Sequence, residues 1–291
     1  MQSESAPMTA AVPGEDLVEA ARLAREQAPR LCRPDGAGGS CAWHHGLWPT
    51  LRLLGLVTEP ALHGEFLRNA LAAVTGQAPR ILLSGAADHA LLAQVFAAFA
   101  GRKPRITVLD LCETPLMLNR WYAHRMAAGI HTQSSDILDF DAPQAFDVIC
   151  THAFLGNFDA ARRAALAAKW HALLAPGGRV VTVNRLRPGL VPRWISFSPE
   201  QVGAYCARVE AAARSRELRV PDLGRAAEIY ATKQTIFPIG SADEVKALFE
   251  AAGFNVEHLS VASIAAEARQ PVNAPTVPGG DSYARLIAVK R

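Results

Sequence analysis

The chain has no CxxC pair, little excess of either charge sign, and no apolar run near the ~20 residues that span a bilayer. Its five cysteines, Cys32, Cys41, Cys112, Cys150 and Cys206, are odd in number and widely scattered. That speaks against a disulfide framework and for reduced thiols in a cytoplasmic protein. The stretch MQSESAPMTAAVPGED carries no basic region followed by an apolar one, so no secretory signal is expected. The net charge of +3 is spread along the chain and gives no argument for a nucleic-acid partner. What is present is globular composition: 291 residues, half of them apolar and a fifth charged. The expectation is a soluble cytoplasmic protein with neither a nucleic-acid nor a membrane partner. A homodimer is the one assembly kept open.

Two grammars divide the sequence. Residues 1–14 are small, polar and proline-bearing and are expected to form a disordered tail. Over 15–78 the spacing predicts helices: EDLVEAARLAREQA, the aromatic CAWHHGLWPTLRLLGLV, and HGEFLRNALAAVTG, with the Gly/Pro-rich loop RPDGAGGS between the first two. From Pro79 short apolar runs take over: RILLS, RITVLDL, a weaker IHTQSSD, FDVICT and GRVVTVNRL. They alternate with helical segments, which implies βαβ units and a doubly wound, Rossmann-like parallel sheet. Residues 186–240 interrupt this alternation with two helix candidates and read as an insertion over the sheet. The alternation resumes over 241–291, where Ser241 and Glu244 predict a capping box at the start of a helix. Two final strands follow, joined by a Pro/Gly-rich loop.

In an open parallel sheet, ligands bind at the carboxyl ends of the strands. After RILLS comes Ser84 and then Gly85, Ala86 and Ala87, a glycine turn with small neighbours that lets a ligand approach the backbone. After the second run come Asp110 and Leu111, with Asp110 lying 25 residues beyond Gly85. That is close to the spacing at which an acid meets ribose hydroxyls in such folds. After the third run Asp136 is placed to accept from an adenine amino group, with Ile137 covering the ring. After the fourth, THAFLGNF lines the front of the site. The ordered series Gly, Asp, Asp and polar loop predicts a cofactor that contains a nucleoside.

These residues resemble the class I S-adenosylmethionine-dependent methyltransferase family. The likeness rests on ILLSGAA, VLDLCETPLMLNRWYA, SSDILDFDAPQAFDVICTHAFLGNF, the Pro-Gly-Gly turn of LLAPGGRVVTVNRL, and EVKALFEAAGFNVEHLSV with YARLIAVKR. It covers 79–185 and 241–291, and implies a mostly parallel sheet with an antiparallel last strand, S-adenosyl-L-methionine as cofactor, and methyl transfer to a small molecule. The helices of 15–78 and the 186–240 insertion would cover the substrate. The family's glycine loop is eroded here: Leu83 stands at the acid position, Ala87 at the second glycine and His89 at the third. Asp88 and the WHH segment are the substitutes considered for the missing acid.

Methyl transfer from a sulfonium is an in-line displacement that needs positioning first and a base only where the acceptor must lose a proton. His152, just past the fourth strand, is the candidate base, and Tyr230 in the insertion is a candidate to orient the acceptor. Trp43, His44, His45, Trp48, Asn157 and Tyr230 are the expected substrate contacts. The two tryptophans could also surround a sulfonium through cation–π contact. No metal is assigned: Cys41, His44 and His45, with Cys32 upstream, fit no tight knuckle, and adjacent histidines point in different directions. Three other readings stay open: non-methylating use of the same cofactor (transfer of its aminocarboxypropyl part, or cyclisation), an NAD(P)-dependent oxidoreductase, and a catalytically silent partner subunit.

Overall fold

The computed structural model describes residues 16–34, 40–263 and 282–291. The expected tail over 1–14, most of the RPDGAGGS loop and the Pro/Gly-rich loop before the last strand lie outside the described residues.

The chain opens with α1 (Leu17–Leu31), α2 (Ala42–His45), α3 (Trp48–Leu53) and α4 (Gly64–Ala72). The Asp16 carboxylate caps α1 by accepting from the Glu19 N–H at 2.9 Å. Then β1 (Arg80–Ser84), α5 (Ala90–Ala98), β2 (Arg105–Asp110), α6 (Glu113–Arg125), β3 (His131–Ser134), β4 (Phe146–His152), α7 (Ala160–Leu173) and β5 (Leu174–Arg185) alternate as expected. The insertion holds β6 (Ile195–Ser196), α8 (Pro199–Ser215), α9 (Leu223–Lys233) and β7 (Thr235–Ile236). The chain closes with α10 (Ala242–Ala251), β8 (Phe254–Ser263) and β9 (Ser282–Lys290).

Seven strands form one sheet in the order β3-β2-β1-β4-β5-β9-β8. The first five run parallel, and β9 is inserted antiparallel to both of its neighbours. Period-two alternation explains why the central strands are apolar throughout: Ile81 and Leu83 of β1 pack into the core on one face, Leu82 into the core on the other. Strand order reverses between β1 and β4, and the register levels the carboxyl ends there. Ser84 pairs with Leu109, Asp110 with Ser134, and His152 with Val183. Asp110 and His152 end their strands, and Gly85 and Asp136 lie just past theirs, so the four share one rim, the position that the topology favours for a ligand.

Above that rim the N-terminal helices and the insertion combine. Leu47, Leu51 and Leu54 from the α3 region share a buried cluster with Tyr205 and Val209 of α8 and Ala227 and Tyr230 of α9. Two segments distant in sequence thus form one cap. Its base is anchored where Ala20 and Ala24 of α1 pack on Leu118 of α6. At α10 only half of the predicted capping box forms: the Ser241 hydroxyl accepts from the Glu244 N–H at 3.1 Å. The Glu244 carboxylate instead accepts from the Gly240 N–H at 2.7 Å and pairs with Arg163 at 3.1 Å. A reciprocal box occurs at α8, between Ser198 and Gln201. No helix among the described residues is long and apolar enough to cross a membrane.

Candidate functional site

Between rim and cap lies a cavity of about 640 Å³, bordered by every residue selected from the sequence except Ser84. Ser84 is fully buried, and its hydroxyl accepts from the Trp170 indole N–H at 3.1 Å on the Leu82 face of the sheet. It serves the core beneath the site, so its assignment as a cofactor contact is corrected.

The floor is built on Asp110. One of its carboxylate oxygens accepts from the Ala86 N–H at 2.9 Å and the other from the Cys112 N–H at 2.8 Å. Each oxygen keeps a second lone pair, so the side chain that ties the glycine turn to the β2–α6 turn can still accept from hydroxyls. Burial raises the Asp110 carboxyl above its ordinary pKa, and the His45 charge and these backbone N–H groups work against that rise. Gly85 adopts φ +76°, and its N–H donates to the Leu109 carbonyl at 2.9 Å. Leu111 is 52 % exposed at the lip, an unusual state for a leucine, while Ile137 across the same end is buried. Asp136 accepts from the Leu138 N–H at 3.0 Å and faces Arg162 at 3.5 Å.

Asp88, considered as a substitute for the missing acid, is committed elsewhere. It is buried, pairs with Arg52 at 2.9 Å and accepts from the Ala90 N–H at 2.9 Å at the start of α5. Arg52 also meets Glu59 at 3.0 Å, so a buried ionic triad links the cap to the cofactor turn. Leu83, at the family's acid position, is fully buried in the core.

On the far wall, His152 is half-buried, and its Nε2 has no hydrogen-bond partner among the described residues. Burial pushes its pKa down to about 4, against a smaller opposing pull from Asp88, so the ring is neutral near pH 7. Tyr230 also borders the cavity, but its side chain is fully buried, with its ring stacked on Tyr205 (centroids 5.8 Å apart) and on His44 (5.6 Å). Burial raises its phenol pKa far above the ordinary value, which removes it as a proton acceptor. His44 lies between Tyr230 and Trp48, whose ring stacks on it at 5.2 Å. His45 turns the other way, towards Cys32.

One residue here carries chemistry that the sequence did not single out. Arg187, just past β5, lines the cavity and is only 6 % exposed. Among the described residues no carboxylate or hydrogen-bond partner meets its guanidinium; burial and Arg185 push its pKa down to about 9. Phe154, in the THAFLGNF stretch expected at the front of the site, lies across Gly85. The available signal for Arg187 was its place after a strand end.

No family model matches the chain, and no curated protein matches it in sequence. In structure it is similar to a 1,6-didemethyltoxoflavin N1-methyltransferase from Burkholderia thailandensis, at a TM-score of 0.50 and 17 % identity over 99 % of this chain and 93 % of that one. It is also similar to a geranyl diphosphate C-methyltransferase from Streptomyces coelicolor A3(2), at 0.51 and 13 % identity over 79 % and 78 % of the two chains. A third neighbour is the [4+2]-cyclase SpnF, at 0.50 and 15 % identity over 79 % and 80 %. The fold is that of the class I methyltransferases. At these identities the likeness concerns fold alone.

Proposed function

We propose that this chain is an S-adenosylmethionine-dependent methyltransferase whose acceptor is a small molecule bearing an anionic group. The observation that carries the cofactor is Asp110, whose carboxylate is held by two backbone N–H groups at the strand rim with lone pairs still available. Leu111 and Ile137 offer apolar surface beside it for a base, and Asp136 an acceptor for an exocyclic amino group. The fold, shared with two methyltransferases of small molecules, supports the same reading. The acceptor's charge follows from Arg187. A guanidinium buried against the cavity with no counter-ion among the described residues is costly, and an incoming carboxylate or phosphate would supply a partner.

Bound S-adenosylmethionine would supply an electrophilic methyl group on a sulfonium. The cap then excludes water from the about 640 Å³ cavity and holds the acceptor for in-line approach. His152 stays uncharged at neutral pH and so adds no like charge beside a sulfonium. Its unpartnered Nε2 is available to hydrogen-bond the acceptor or take a proton from it.

Calorimetric titration tests the cofactor, and product analysis tests the reaction. S-adenosylmethionine and S-adenosylhomocysteine are expected to bind one per chain, and turnover with a panel of anionic acceptors to release S-adenosylhomocysteine. Absence of binding, or release of methylthioadenosine instead, overturns the proposal.

A further inference from the structure

We infer that Cys32, Cys41, His45 and Cys112 form a tetrahedral Zn²⁺ site that staples the cap to the cofactor rim. The four residues come from three places: Cys32 follows the last residue of α1, Cys41 and His45 bracket α2, and Cys112 precedes α6. Their ligand atoms all lie within 4.8 Å of one another. The Sγ atoms of Cys32 and Cys112 are 3.4 Å apart, those of Cys41 and Cys112 3.6 Å, and Cys32 Sγ is 3.5 Å from His45 Nδ1. A tetrahedron with Zn–S of about 2.3 Å and Zn–N of about 2.05 Å has S···S edges of about 3.8 Å and S···N edges of about 3.6 Å. These three separations fall short of those edges by about 0.4, 0.2 and 0.1 Å, close enough for an ion to be taken up with small side-chain shifts. They are far from the S–S bond of about 2.05 Å, so the cluster is not a disulfide.

Ligand chemistry points to the same ion. Three thiolates and one imidazole suit a soft, tetrahedral divalent metal, and four protein ligands close the shell with no position left for substrate. The site is therefore structural, and its metal takes no direct part in transfer. The Thr114 hydroxyl lies 3.1 Å from Cys32 Sγ, where it can donate to a metal-bound thiolate. The divergence of His44 and His45, which argued against metal in the sequence, is what frees one ring: His44 is sandwiched by Trp48 and Tyr230 while His45 reaches the sulfurs. On binding, each cysteine that enters as a thiol releases its proton to solvent, and nothing is oxidised or reduced.

The placement gives the metal a positioning role. Cys112 is the residue whose backbone N–H holds Asp110 at 2.8 Å. A metal on its sulfur fixes the turn that orients the acid, and ties α1 and α2 over the nucleoside end of the cavity.

The test uses the full chain purified under reducing conditions, without a histidine tag. Elemental analysis is expected to find about one zinc per chain in the native protein and in Cys206→Ser, and less than about a tenth of that in Cys41→Ser and Cys112→Ser. Co²⁺ added to the zinc-free native protein is expected to give the visible bands of a tetrahedral ion and the near-ultraviolet charge-transfer bands of bound thiolate. Zinc is expected to shield three of the five thiols from alkylation. If either serine variant fails to fold, the cobalt spectrum and the shielding still decide on native protein. Native protein that takes up no zinc, gives no tetrahedral cobalt spectrum, or shows the same thiol reactivity with and without zinc overturns the inference. A Cys32–Cys112 or Cys41–Cys112 disulfide under reducing conditions overturns it too.

Discussion

The Phe154 ring covers the face of Gly85 so closely that a Cβ added to this glycine would clash with Phe154 Cε2 and lie 2.6 Å from Cδ2. Phe154 has limited room to move, since it packs edge-on to Phe158 at 5.0 Å and near Trp170 at 6.4 Å. The lone glycine of the turn is thus required twice, for its positive φ and for the ring above it. Gly85→Ala is expected to lose about 1–2 kcal/mol to the left-handed backbone and about 1–3 kcal/mol more to overpacking. Phe154→Ala carries a cavity cost of its own, so the steric share is read in that background, where adding Gly85→Ala should lose the backbone share alone. Urea unfolding of the native protein, both single variants and the double variant checks this; Gly85→Ala within about 0.5 kcal/mol of native would show that the contact is soft.

The Arg52 triad predicts a large effect of a different kind. Arg52, Asp88 and Glu59 are 3 %, 3 % and 7 % exposed, so truncating the cation leaves two carboxylates buried beside each other. Arg52→Met is expected to destabilise the fold by about 3–5 kcal/mol. Adding Glu59→Gln and Asp88→Asn removes both stranded charges while keeping an acceptor for the Ala90 N–H. The triple variant should therefore regain most of the loss. Guanidinium unfolding that finds the triple variant no more stable than the single one would count against an electrostatic origin.

Acid sensitivity follows from two neighbouring histidines. His63 is 1 % exposed; its Nδ1 accepts from Arg285 at 3.2 Å, and its ring lies 5.6 Å from His152 and 4.9 Å from Tyr283. Burial first, then His152 and Arg285, push the His63 pKa down to about 2, and His152 is held at about 4. An unfolded histidine titrates near 6.5. As pH falls below that value the unfolded chain takes up protons that the folded chain refuses, so stability drops. Both groups contribute between about pH 6.5 and 4, and His63 alone continues below, each with a limiting slope of about 1.4 kcal/mol per pH unit. Asp147, lowered by its ion pair with Arg80, acts in the same direction at more acid pH. His63→Gln keeps an acceptor for Arg285 without a titrating group. Its stability is expected to fall less steeply between pH 6.5 and 4.5 than the native protein's; equal slopes would assign the acid sensitivity elsewhere.

Much of this was legible because strand and helix periods differ. The alternation from Pro79 onwards gave the sheet, and the rim residues Gly85, Asp110, Asp136 and His152 followed from where each apolar run stops. The same period, carried two residues on from Leu82, would have turned Ser84 to the Leu82 face, where Trp170 meets it. Other features needed tertiary packing. The joint cap of α3, α8 and α9 has no local signal, because its two halves lie on either side of the β1–β5 sequence. Cys112 joins Cys32, Cys41 and His45 only because α1 packs on α6, and spacing along the chain is silent about that. Arg187 reads as one more basic residue in a loop until its burial, with no partner among the described residues, is seen.

That burial yields a prediction that separates binding from folding. An arginine kept for structure alone would be expected to have a carboxylate or carbonyl partner, as Arg163 does with Glu244 and the Phe237 and Pro238 carbonyls. Arg187 has none among the described residues, so its unpaired charge costs the unliganded protein stability. Arg187→Met should therefore leave the fold as stable as the native protein or more so, with cofactor affinity within about twofold of native because the substitution lies at the β5 end rather than at the Asp110 turn. A hydrogen bond to a charged group contributes about 1.5–3 kcal/mol, which corresponds to a rise in KM for an anionic acceptor of about 10- to 150-fold. Thermal unfolding, cofactor titration and steady-state kinetics on the one variant check all three parts. A marked loss of stability with unchanged KM would identify Arg187 as a structural residue and remove the case for an anionic acceptor.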